Sequence, residues 1–371
     1  MSTRGQTLQL ATRGSALARR QAAQVQEALG SRRRSVELVE VETTGDQIRD
    51  ELLHRLGKTG AFVRSLDEKV LSGELDGAVH SMKDMPTEGP DELVVAGVPE
   101  RGPAGDVLVT PDGRELEDLP DGAVVGTSSL RRGAQLRAER PDLEIEPLRG
   151  NVDTRVQKLL APGLQAEHEE RADAEKERKE RVDDDEYEFP YDQDVESWFE
   201  GLSEIERLAL EREVETEYDA IVLAEAGLER IGLLHHVQAT RLDPEQYVPA
   251  PGQGALAVTA VDDEVVETIR EAIDHPPTRV ATTVERTILA TLGGGCVAPI
   301  GVHANVQGRV VRTTVRVLSR DGTEEVAASR DLPVERHPRA AESFAEDLRE
   351  QGAAELIERA TREERGEARE E

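Results

Sequence analysis

The stretch Thr291-Leu-Gly-Gly-Gly-Cys-Val-Ala-Pro-Ile-Gly301 contains the only cysteine of the chain, Cys296. An amphipathic run from Val280 to Leu292 precedes it, and three consecutive glycines supply the conformational freedom that ends a helix. The stretch therefore predicts a helix, a loop that exposes the Cys296 thiol, and a strand that starts near Ile300. An exposed thiol can meet a reactant, whereas a cysteine that only fills space is usually buried. Both interpretations remain open from this stretch alone.

The charge balance separates this chain from proteins that bind polyanions. Its 371 residues suffice for two or three domains, and they carry 77 Asp and Glu against 46 Lys and Arg, a net charge of −31. Such a surface repels phosphate, which argues against a nucleic-acid or anionic-membrane partner. The chain is also poor in lysine and aromatic residues, which is typical of proteins kept soluble in concentrated salt, where the Debye length is about 3 Å. We hypothesise a halophilic source.

Other classes of protein are disfavoured by the same survey. The N-terminal residues lack an apolar core of signal-peptide length, and no run approaches the roughly 18 apolar residues of a transmembrane helix. One cysteine permits neither an internal disulfide nor a thiolate metal site, and the eight histidines show no metal-ligand spacing. We expect a cytoplasmic monomer without a metal ion.

Two segments alternate between strands and helices, which is typical of α/β domains with largely parallel sheets. In the first, we predict strands at Leu8–Thr12, Val36–Thr43 and Gly77–His80, and helices at Ala16–Leu29 and Phe62–Leu71. In the second, we predict strands at Ala123–Gly126, Leu143–Leu148 and Asp219–Ala224, and helices at 127–139 and from about Asn151 to Leu160. In such sheets the loops that leave the carboxyl ends of the strands carry the ligand site.

These segments predict two periplasmic-binding-protein-like α/β domains with a cleft between them. Domain 1 comprises residues 1–102 and 254–272, and domain 2 comprises residues 103–250. Proline- and glycine-rich crossovers at 99–103 and 249–255 would join the two domains.

The C-terminal part of the chain predicts a small α+β domain, residues 276–371. Strands at Ile300–Asn305, Val310–Leu318 and Glu325–Ser329 are separated by Gln307-Gly308 and Asp321-Gly322, which are hairpin signals. They predict a three-stranded antiparallel sheet. A closing helix at Ala340–Ala360 and a frayed, charged tail follow.

An acidic insertion at 162–216 interrupts the second domain, with roughly 21 acidic against 7 basic residues. Residues 167–181 show no apolar face, so we expect a solvated insertion, with a partner-binding arm as the alternative. A few apolar residues could still dock a short helix: Trp198, Phe199, Leu202, Ile205, Leu208 and Leu210.

Basic and hydroxyl side chains gather at the predicted strand ends and first helical turns. Helix N-termini favour anions, and guanidinium groups match carboxylates with two hydrogen bonds. We infer a polycarboxylate ligand, although single arginines could instead pair with nearby acids on the surface. The set consists of Arg13, Ser15, Lys83, Thr127, Ser128, Ser129, Arg131, Arg132, Arg149 and Arg155.

Asp84 differs from the other acids because it follows Lys83 at a strand end in the predicted cleft. A carboxylate in such a place can stabilise a developing cation or transfer a proton. A turn-forming aspartate is the plainer alternative.

Seven motifs in order resemble those of the porphobilinogen deaminase (hydroxymethylbilane synthase) family. They cover about residues 8–160 and 217–305, and a set this long is specific. The motifs are Ala11-Thr-Arg-Gly-Ser15, Ala78-Val-His-Ser-Met-Lys-Asp-Met-Pro86, Val125-Gly-Thr-Ser-Ser-Leu-Arg-Arg132, Leu148-Arg-Gly-Asn-Val-Asp-Thr-Arg155, Asp219-Ala-Ile-Val-Leu-Ala-Glu-Ala-Gly-Leu-Glu-Arg230, Pro249-Ala-Pro-Gly-Gln-Gly-Ala255 and Glu285-Arg-Thr-Ile-Leu-Ala-Thr-Leu-Gly-Gly-Gly-Cys-Val-Ala-Pro-Ile-Gly301.

The resemblance implies a transferase of tetrapyrrole (heme) biosynthesis that joins four porphobilinogen molecules head to tail and releases ammonia each time. The product is the linear tetrapyrrole hydroxymethylbilane. A dipyrromethane cofactor, held by a thioether to Cys296, would prime the chain. The resemblance also implies hinge motion at 99–105 and 250–254.

Residue roles follow from the resemblance, motif by motif. Asp84 and Lys83 would be the catalytic residues: Asp84 would bind pyrrole N–H groups, stabilise the azafulvene cation and mediate proton transfer, and Lys83 would also hold carboxylates of the cofactor and substrate. Gln253 would make a backbone contact at the crossover. The remaining residues would hold cofactor and substrate carboxylates: Arg13, Ser15, Thr127, Ser128, Ser129, Arg131, Arg132, Arg149, Gly150, Arg155 and Arg230.

The chain departs from the family pattern at three places. Ala298 stands where a β-branched residue is preferred. Thr59 stands where a lid lysine is expected, which leaves Lys58 or Arg64 as candidate substitutes. The third departure is the acidic insertion.

Two other classes of protein are alternatives to this family. A non-catalytic, two-lobed anion-binding protein of the periplasmic type would normally carry a secretion signal, and it would need neither the exposed cysteine nor Asp84. A cysteine-nucleophile hydrolase would need a histidine linked by motif to Cys296.

Overall fold

A computed structural model describes residues 6–32, 34–42, 61–181, 187–293, 295 and 297–370; for Gln6, Ala61 and Phe62, and for residues 364, 365 and 367–370, it describes the backbone alone. Cys296, Lys58 and Thr59 lie outside the described residues, so the predicted exposure of the thiol and the lid substitution stay predictions. Within this part of the chain the strands form three sheets.

The first sheet has the strand order β2-β1-β3-β10-β4. Strand β1 runs parallel to β2 and β3, while β10 runs antiparallel to β3 and β4. The prediction of a largely parallel sheet is therefore right for one side of the sheet only. Strand β10 enters directly from a crossover loop, without the helix of a βαβ connection, and so pairs antiparallel. The strands are β1 (Gln6–Thr12), β2 (Arg34–Glu40), β3 (Gly77–Ser81), β4 (Val94–Gly97) and β10 (Leu256–Ala260).

Helices α1 (Ala16–Leu29), α2 (Ala61–Leu71) and α8 (Asp263–Ile273) pack against the first sheet. The apolar faces of α1 and α8 meet the strands in a core that includes Leu10 and Ile269, both fully buried, while Leu66 and Val70 of α2 pack with Ala11 and Ala78 in a separate cluster. Burial of such side chains supplies about 1.5–3 kcal/mol each, which fixes the sheet as a platform for its loops.

The second sheet repeats this plan with the order β7-β6-β8-β5-β9. Strand β6 is parallel to β7 and β8, and β5 is antiparallel to β8 and β9. Strand β9 was missed because it is a short, polar edge strand, and β7 is shorter than predicted. The strands are β5 (Asp106–Thr110), β6 (Val124–Gly126), β7 (Glu144–Glu146), β8 (Ala220–Ala224) and β9 (Gln238–Arg241), with helices α3 (Leu130–Glu139) and α7 (Glu225–Arg230) beside them.

Helix α4 (Val152–Glu180) corrects the prediction that a helix ends at Leu160. It passes through Pro162, which removes one helical hydrogen bond. Tertiary packing offsets that loss: helix α6 (Glu204–Leu210) packs along α4, and the Gln165 amide donates to two carbonyls at the end of α6.

In its described residues the acidic insertion thus forms a helical arm, and most side chains of residues 167–181 are exposed, as expected for a solvated segment. The predicted docking of a short helix is confirmed by α5 (Val195–Gly201), whose Trp198 is 6% exposed, and by buried Ile205 of α6. The Arg171 guanidinium lies 4.2 Å from the ring centre of Tyr191 and 5.3 Å from that of Trp198, which adds cation–π contacts to the arm.

The third sheet has the predicted order β11-β12-β13, and both neighbouring pairs are antiparallel. Its core, around Phe344, also contains buried Ala298, so this departure from the family pattern is one of packing. The closing helix is interrupted at Gly352, where φ is 110°, and continues past the predicted end at Ala360. The elements are α9 (Pro276–Leu292), β11 (Ile300–Gln307), β12 (Val310–Leu318), β13 (Glu325–Pro333), α10 (His337–Leu348) and α11 (Ala354–Glu370).

Within the described ranges, each helix is too short or too polar to cross a lipid bilayer. The same ranges hold no group of three or more His, Cys, Asp or Glu side chains arranged for a metal ion.

Candidate active site

The first lobe presents its predicted site residues on two loops at the carboxyl ends of β1 and β3. Ser15 caps α1, as predicted, and its hydroxyl accepts a hydrogen bond of 3.2 Å from the Ala18 amide. Arg13 lies in the same loop. Lys83 and Asp84 lie in a 3₁₀ turn, Met82–Asp84, directly after β3. Met82 is buried beneath this turn and Asp84 is exposed, so the turn presents the carboxylate outward.

The second lobe presents a strand-to-helix turn held by three hydroxyl groups. Ser129 caps α3 by accepting from the Arg132 amide at 3.4 Å, and Thr127 accepts from the Ser129 amide at 3.2 Å. The Ser128 hydroxyl donates to the Leu148 carbonyl at 2.8 Å. These bonds fix the turn from which Arg131 and Arg132 project.

Asp106 is the residue of this site that sequence reasoning missed. It is 1% exposed, and its carboxylate accepts bonds of 2.7 Å from both Arg131 and Arg132. The Gln253 amide donates to it at 2.8 Å. An acid at the start of the apolar strand Asp106-Val-Leu-Val-Thr110 was the available signal, because a buried carboxylate needs partners.

Electrostatics explain why this buried carboxylate stays ionised. Burial alone would raise the pKa of Asp106, but the guanidinium groups of Arg131 and Arg132 outweigh it and hold that pKa well below its usual range. The two arginines are also fixed by backbone carbonyls, since Arg131 donates to Val248 at 2.8 Å and Arg132 to Val222 at 3.1 Å.

Arg131 and Arg132 were predicted to bind ligand carboxylates. Because several of their N–H groups already bind Asp106 and backbone carbonyls, only the remaining N–H groups could do so. Both are less than 10% exposed, and the Nε atom of each is buried without a hydrogen-bond partner in the structure. Two guanidinium groups that share one aspartate leave a positive charge in excess, which fits a cofactor or substrate rich in carboxylates.

Lys83 and Arg155 lie around this cluster. Burial lowers the pKa of Lys83, Asp84 opposes that shift, and the charge of Arg132 adds to it. Burial and the charge of Arg132 together lower the pKa of Arg155 to about 10. Lys83 of the first lobe therefore lies within electrostatic range of Arg131 and Arg132 of the second lobe, as Arg155 does of Arg132.

The loop after β7 is shaped by a glycine. Gly150 has a φ of 111°, and a Cβ atom there would come within 2.4 Å of the Thr154 side chain. This conformation lets the Gly150 carbonyl accept a 2.8 Å bond from Arg155 Nε. Arg149, half-buried, lies in the same loop.

Two further predicted residues lie at the crossover between the lobes. Arg230 donates to the Gly254 carbonyl at 2.7 Å and to Gln24 of α1 at 3.2 Å. Gln253 is 1% exposed and bonds to the Ala104 carbonyl as well as to Asp106. In these contacts both side chains bind protein groups. Of the candidate lid residues, Arg64 is exposed on α2.

Taken together, the fold and the site define a two-lobed α/β protein whose cleft combines a cationic cluster with one exposed carboxylate. Such a site can bind several carboxylates at once, hold a lysine beside an aspartate, and stabilise a cation that develops near Asp84.

Comparison with protein families gives this class a name. The family model of the porphobilinogen deaminase dipyrromethane-cofactor-binding domain matches residues 8–168 and 205–268, and the model of the porphobilinogen deaminase C-terminal domain matches residues 280–350. A probable porphobilinogen deaminase of Halobacterium salinarum is 53% identical over 387 residues, which cover 95% of this chain and 98% of that protein. A porphobilinogen deaminase of Desulforudis audaxviator is 40% identical, covering 94% of this chain and 96% of that protein.

The chain belongs to the porphobilinogen deaminase family. The predicted fold class, the transferase activity and the dipyrromethane cofactor are those of this family, and the non-catalytic alternative is not favoured. The similarity to Halobacterium salinarum fits the halophilic source predicted from composition. Among solved structures, the ectoine-binding protein TeaA covers 97% of this chain and 99% of its own, but at 11% identity and a TM-score of 0.33 it is too distant to carry an argument.

Proposed function

We propose that the chain acts as a hydroxymethylbilane synthase in which Asp84 is the catalytic carboxylate. The observation that carries this assignment is the exposed Asp84 in a fixed turn beside Lys83, which interacts electrostatically with both Asp84 and Arg132. When porphobilinogen loses ammonia, positive charge develops on its pyrrole and methylene group. A carboxylate at this position stabilises that charge and accepts the proton that leaves when the new carbon–carbon bond has formed.

The neighbouring cations bind and orient the pyrroles. Each porphobilinogen carries an acetate and a propionate, so the cofactor and a growing chain bring several carboxylates into the cleft. Lys83, Arg132 and Arg155 form the centre of the binding surface, and Arg13, Arg149 and the hydroxyls of Ser15, Thr127 and Ser129 extend it on both lobes. Burial lowers the pKa of Lys83, and a bound carboxylate would favour its charged form.

Cys296 is assigned as the attachment point of the dipyrromethane cofactor. The excess positive charge around Asp106 and the partnerless Nε atoms of Arg131 and Arg132 fit a bound polycarboxylate. When bound, the cofactor supplies the nucleophilic pyrrole carbon to which the first substrate unit is joined. The thioether keeps this primer on the protein through successive condensations.

The proposal includes the domain division given by the sequence, with boundaries at 102/103, 250/254 and 272/276. It also includes a cytoplasmic monomer that needs no metal ion. The three separate sheets and the return of β10 to the first sheet support the division.

The test of the assignment is a comparison of Asp84→Asn with Asp112→Asn, a control that alters an exposed aspartate paired with exposed Arg114. We expect Asp84→Asn to keep its cofactor, measured by intact mass, and to lose about 10²–10⁴-fold in kcat, the range for a positioned acid–base group. The control should keep kcat within about twofold. An Asp84→Asn protein with the turnover of the unmodified chain would contradict the proposal.

A further inference from the structure

Arg286 of α9 binds the backbone on both sides of Asp84. Its Nη2 donates to the Pro86 carbonyl at 2.6 Å, and its Nη1 donates to the Met85 carbonyl at 3.1 Å and approaches the Met82 carbonyl at 3.5 Å. The catalytic turn of the first lobe is therefore held by a side chain that comes from the helix before Cys296.

The geometry of these bonds restricts direction as well as distance. A guanidinium group is planar and presents its donors in a rigid fork, so bonds from both Nη atoms fix the orientation of the turn. Arg286 is half-buried, and burial lowers its pKa, although an arginine keeps its charge at any physiological pH.

A cavity beside Arg286 lies between α9 and the catalytic turn. It has a volume of about 260 Å³ and separates α9 from the start of the turn, with Met82, Thr87, Thr283, Arg286 and Thr287 among its lining residues. Because the helix and the turn are not closely packed there, the hydrogen bonds of Arg286 are a direct link between α9 and the backbone around Asp84.

We propose that Arg286 is a positioning residue, which sets the Asp84 carboxylate in register with the end of α9 that leads to the cofactor attachment site. Helix α9 ends at Leu292, and Cys296 follows four residues later in the chain. The helix that precedes the attachment site in the chain therefore also carries the clamp on the catalytic turn, less than two turns before its end at Leu292. This inference rests on the proposed role of Asp84.

The chain contains a matched control on the same helix. Arg279 precedes Arg286 by seven residues, about two helical turns, and so lies on the same face of α9. It donates to the carbonyls of Val95 and Ala96 at 3.2 Å and pairs with Asp274 at 2.7 Å. Arg279 thus joins α9 to the same lobe through strand β4, and it lines the same cavity as Arg286 while its hydrogen bonds go to β4 and Asp274.

The experiment compares Arg286→Gln, Arg286→Lys and Arg279→Gln for kcat, KM, cofactor content by intact mass, and Tm. We expect Arg286→Gln to keep its cofactor and a KM within about twofold while kcat falls about 10- to 100-fold, as small misplacements of a catalytic group do. Arg286→Lys should recover part of kcat. Arg279→Gln should lower Tm at least as much, because it also loses an ion pair, and should keep kcat within about twofold.

A double variant separates positioning from general damage. In the Asp84→Asn background, single-turnover rates should show little further loss on adding Arg286→Gln, because residues that act as a unit are not additive. A full multiplicative loss, or equal losses of kcat in Arg286→Gln and Arg279→Gln, would overturn the inference. If Asp84→Asn is inactive but Arg286→Gln is normal, only this inference fails; if Asp84→Asn is active, the proposed function fails with it.

Discussion

The buried carboxylate of Glu285 accepts two hydrogen bonds from the guanidinium of Arg101, at 2.7 and 3.1 Å. Glu285 is 0% exposed and also accepts bonds from the backbone amides of Gly252 and Ala304, at 2.6 and 2.8 Å. One side chain of α9 therefore joins both crossover loops between the lobes to strand β11 of the third sheet.

Further hydrogen bonds lead from the Arg101–Glu285 pair toward the cluster of Arg131 and Arg132. Arg101 Nε donates to the Gln253 carbonyl at 2.7 Å, and the Gln253 side chain donates to Asp106. A continuous set of polar contacts thus links Glu285 to the aspartate that holds Arg131 and Arg132. The arrangement joins the element before Cys296 to the centre of the cleft.

Glu285→Gln should destabilise the protein by about 3–5 kcal/mol in free energy of unfolding, the cost of breaking a buried pair from one side. In the native protein every one of these donors meets a carboxylate oxygen. A glutamine would place an NH₂ group against some of them and would leave the charge of Arg101 unpaired. Chemical denaturation measures the change. Asp347→Asn is the control, since its pair with Arg330 is exposed on both sides and should contribute no more than about 1 kcal/mol. Equal effects of the two substitutions would contradict this account.

Asp106 should make stability depend on pH in the acid range. Its folded-state pKa lies below the ordinary 3.8, so its ionisation stabilises the fold above that pH and the stabilisation is lost as pH falls. Asp106→Asn should cost about 3–5 kcal/mol at neutral pH, because two buried arginines lose their partner. The difference in free energy of unfolding between the two proteins should narrow below about pH 4. A difference that stays constant from pH 7 to pH 3 would exclude this role of Asp106.

The net charge of −31 predicts that the fold requires salt. Repulsion among surface carboxylates is screened within about 3 Å at molar ionic strength and within about 30 Å at 0.01 M. Circular dichroism during dialysis from molar potassium chloride into dilute buffer should therefore show loss of structure. A cooperative fold that persists in dilute buffer with an unchanged Tm would contradict the predicted requirement for salt.

Loss of packing in the helical arm should leave catalysis unchanged. Trp198 is 6% exposed and lies against Arg171 and His168, whereas its neighbour Phe199 is 42% exposed. Trp198→Ala should speed proteolysis within residues 187–212 and leave kcat within about twofold, while Phe199→Ala should change the digestion little. Loss of kcat in Trp198→Ala would show that the arm supports the active site.

Local signals in the sequence predicted much of the fold. Ser15 caps α1, Gly293 ends α9 with a φ of 81°, and the hairpin pairs Gln307-Gly308 and Asp321-Gly322 separate the strands of the third sheet as expected. In each case neighbouring residues supply the decisive hydrogen bond or backbone conformation, so a short window of sequence is sufficient.

Long-range contacts account for what the sequence did not predict. Helix α4 continues past Pro162 because α6, more than 40 residues later, packs along it. Asp106, Glu285 and Arg286 become informative only when their partners are known, and those partners lie 19 or more residues away. Their side chains give no periodic pattern along the chain that could have identified them.

The central claim is that a dipyrromethane unit is bound through Cys296 and serves as primer for the polymer. Intact mass spectrometry of the purified, active protein tests it directly. We predict a mass above that of the polypeptide by two linked pyrrole units, and the loss of both this adduct and activity in Cys296→Ser. Active protein with the mass of the unmodified polypeptide would contradict the account.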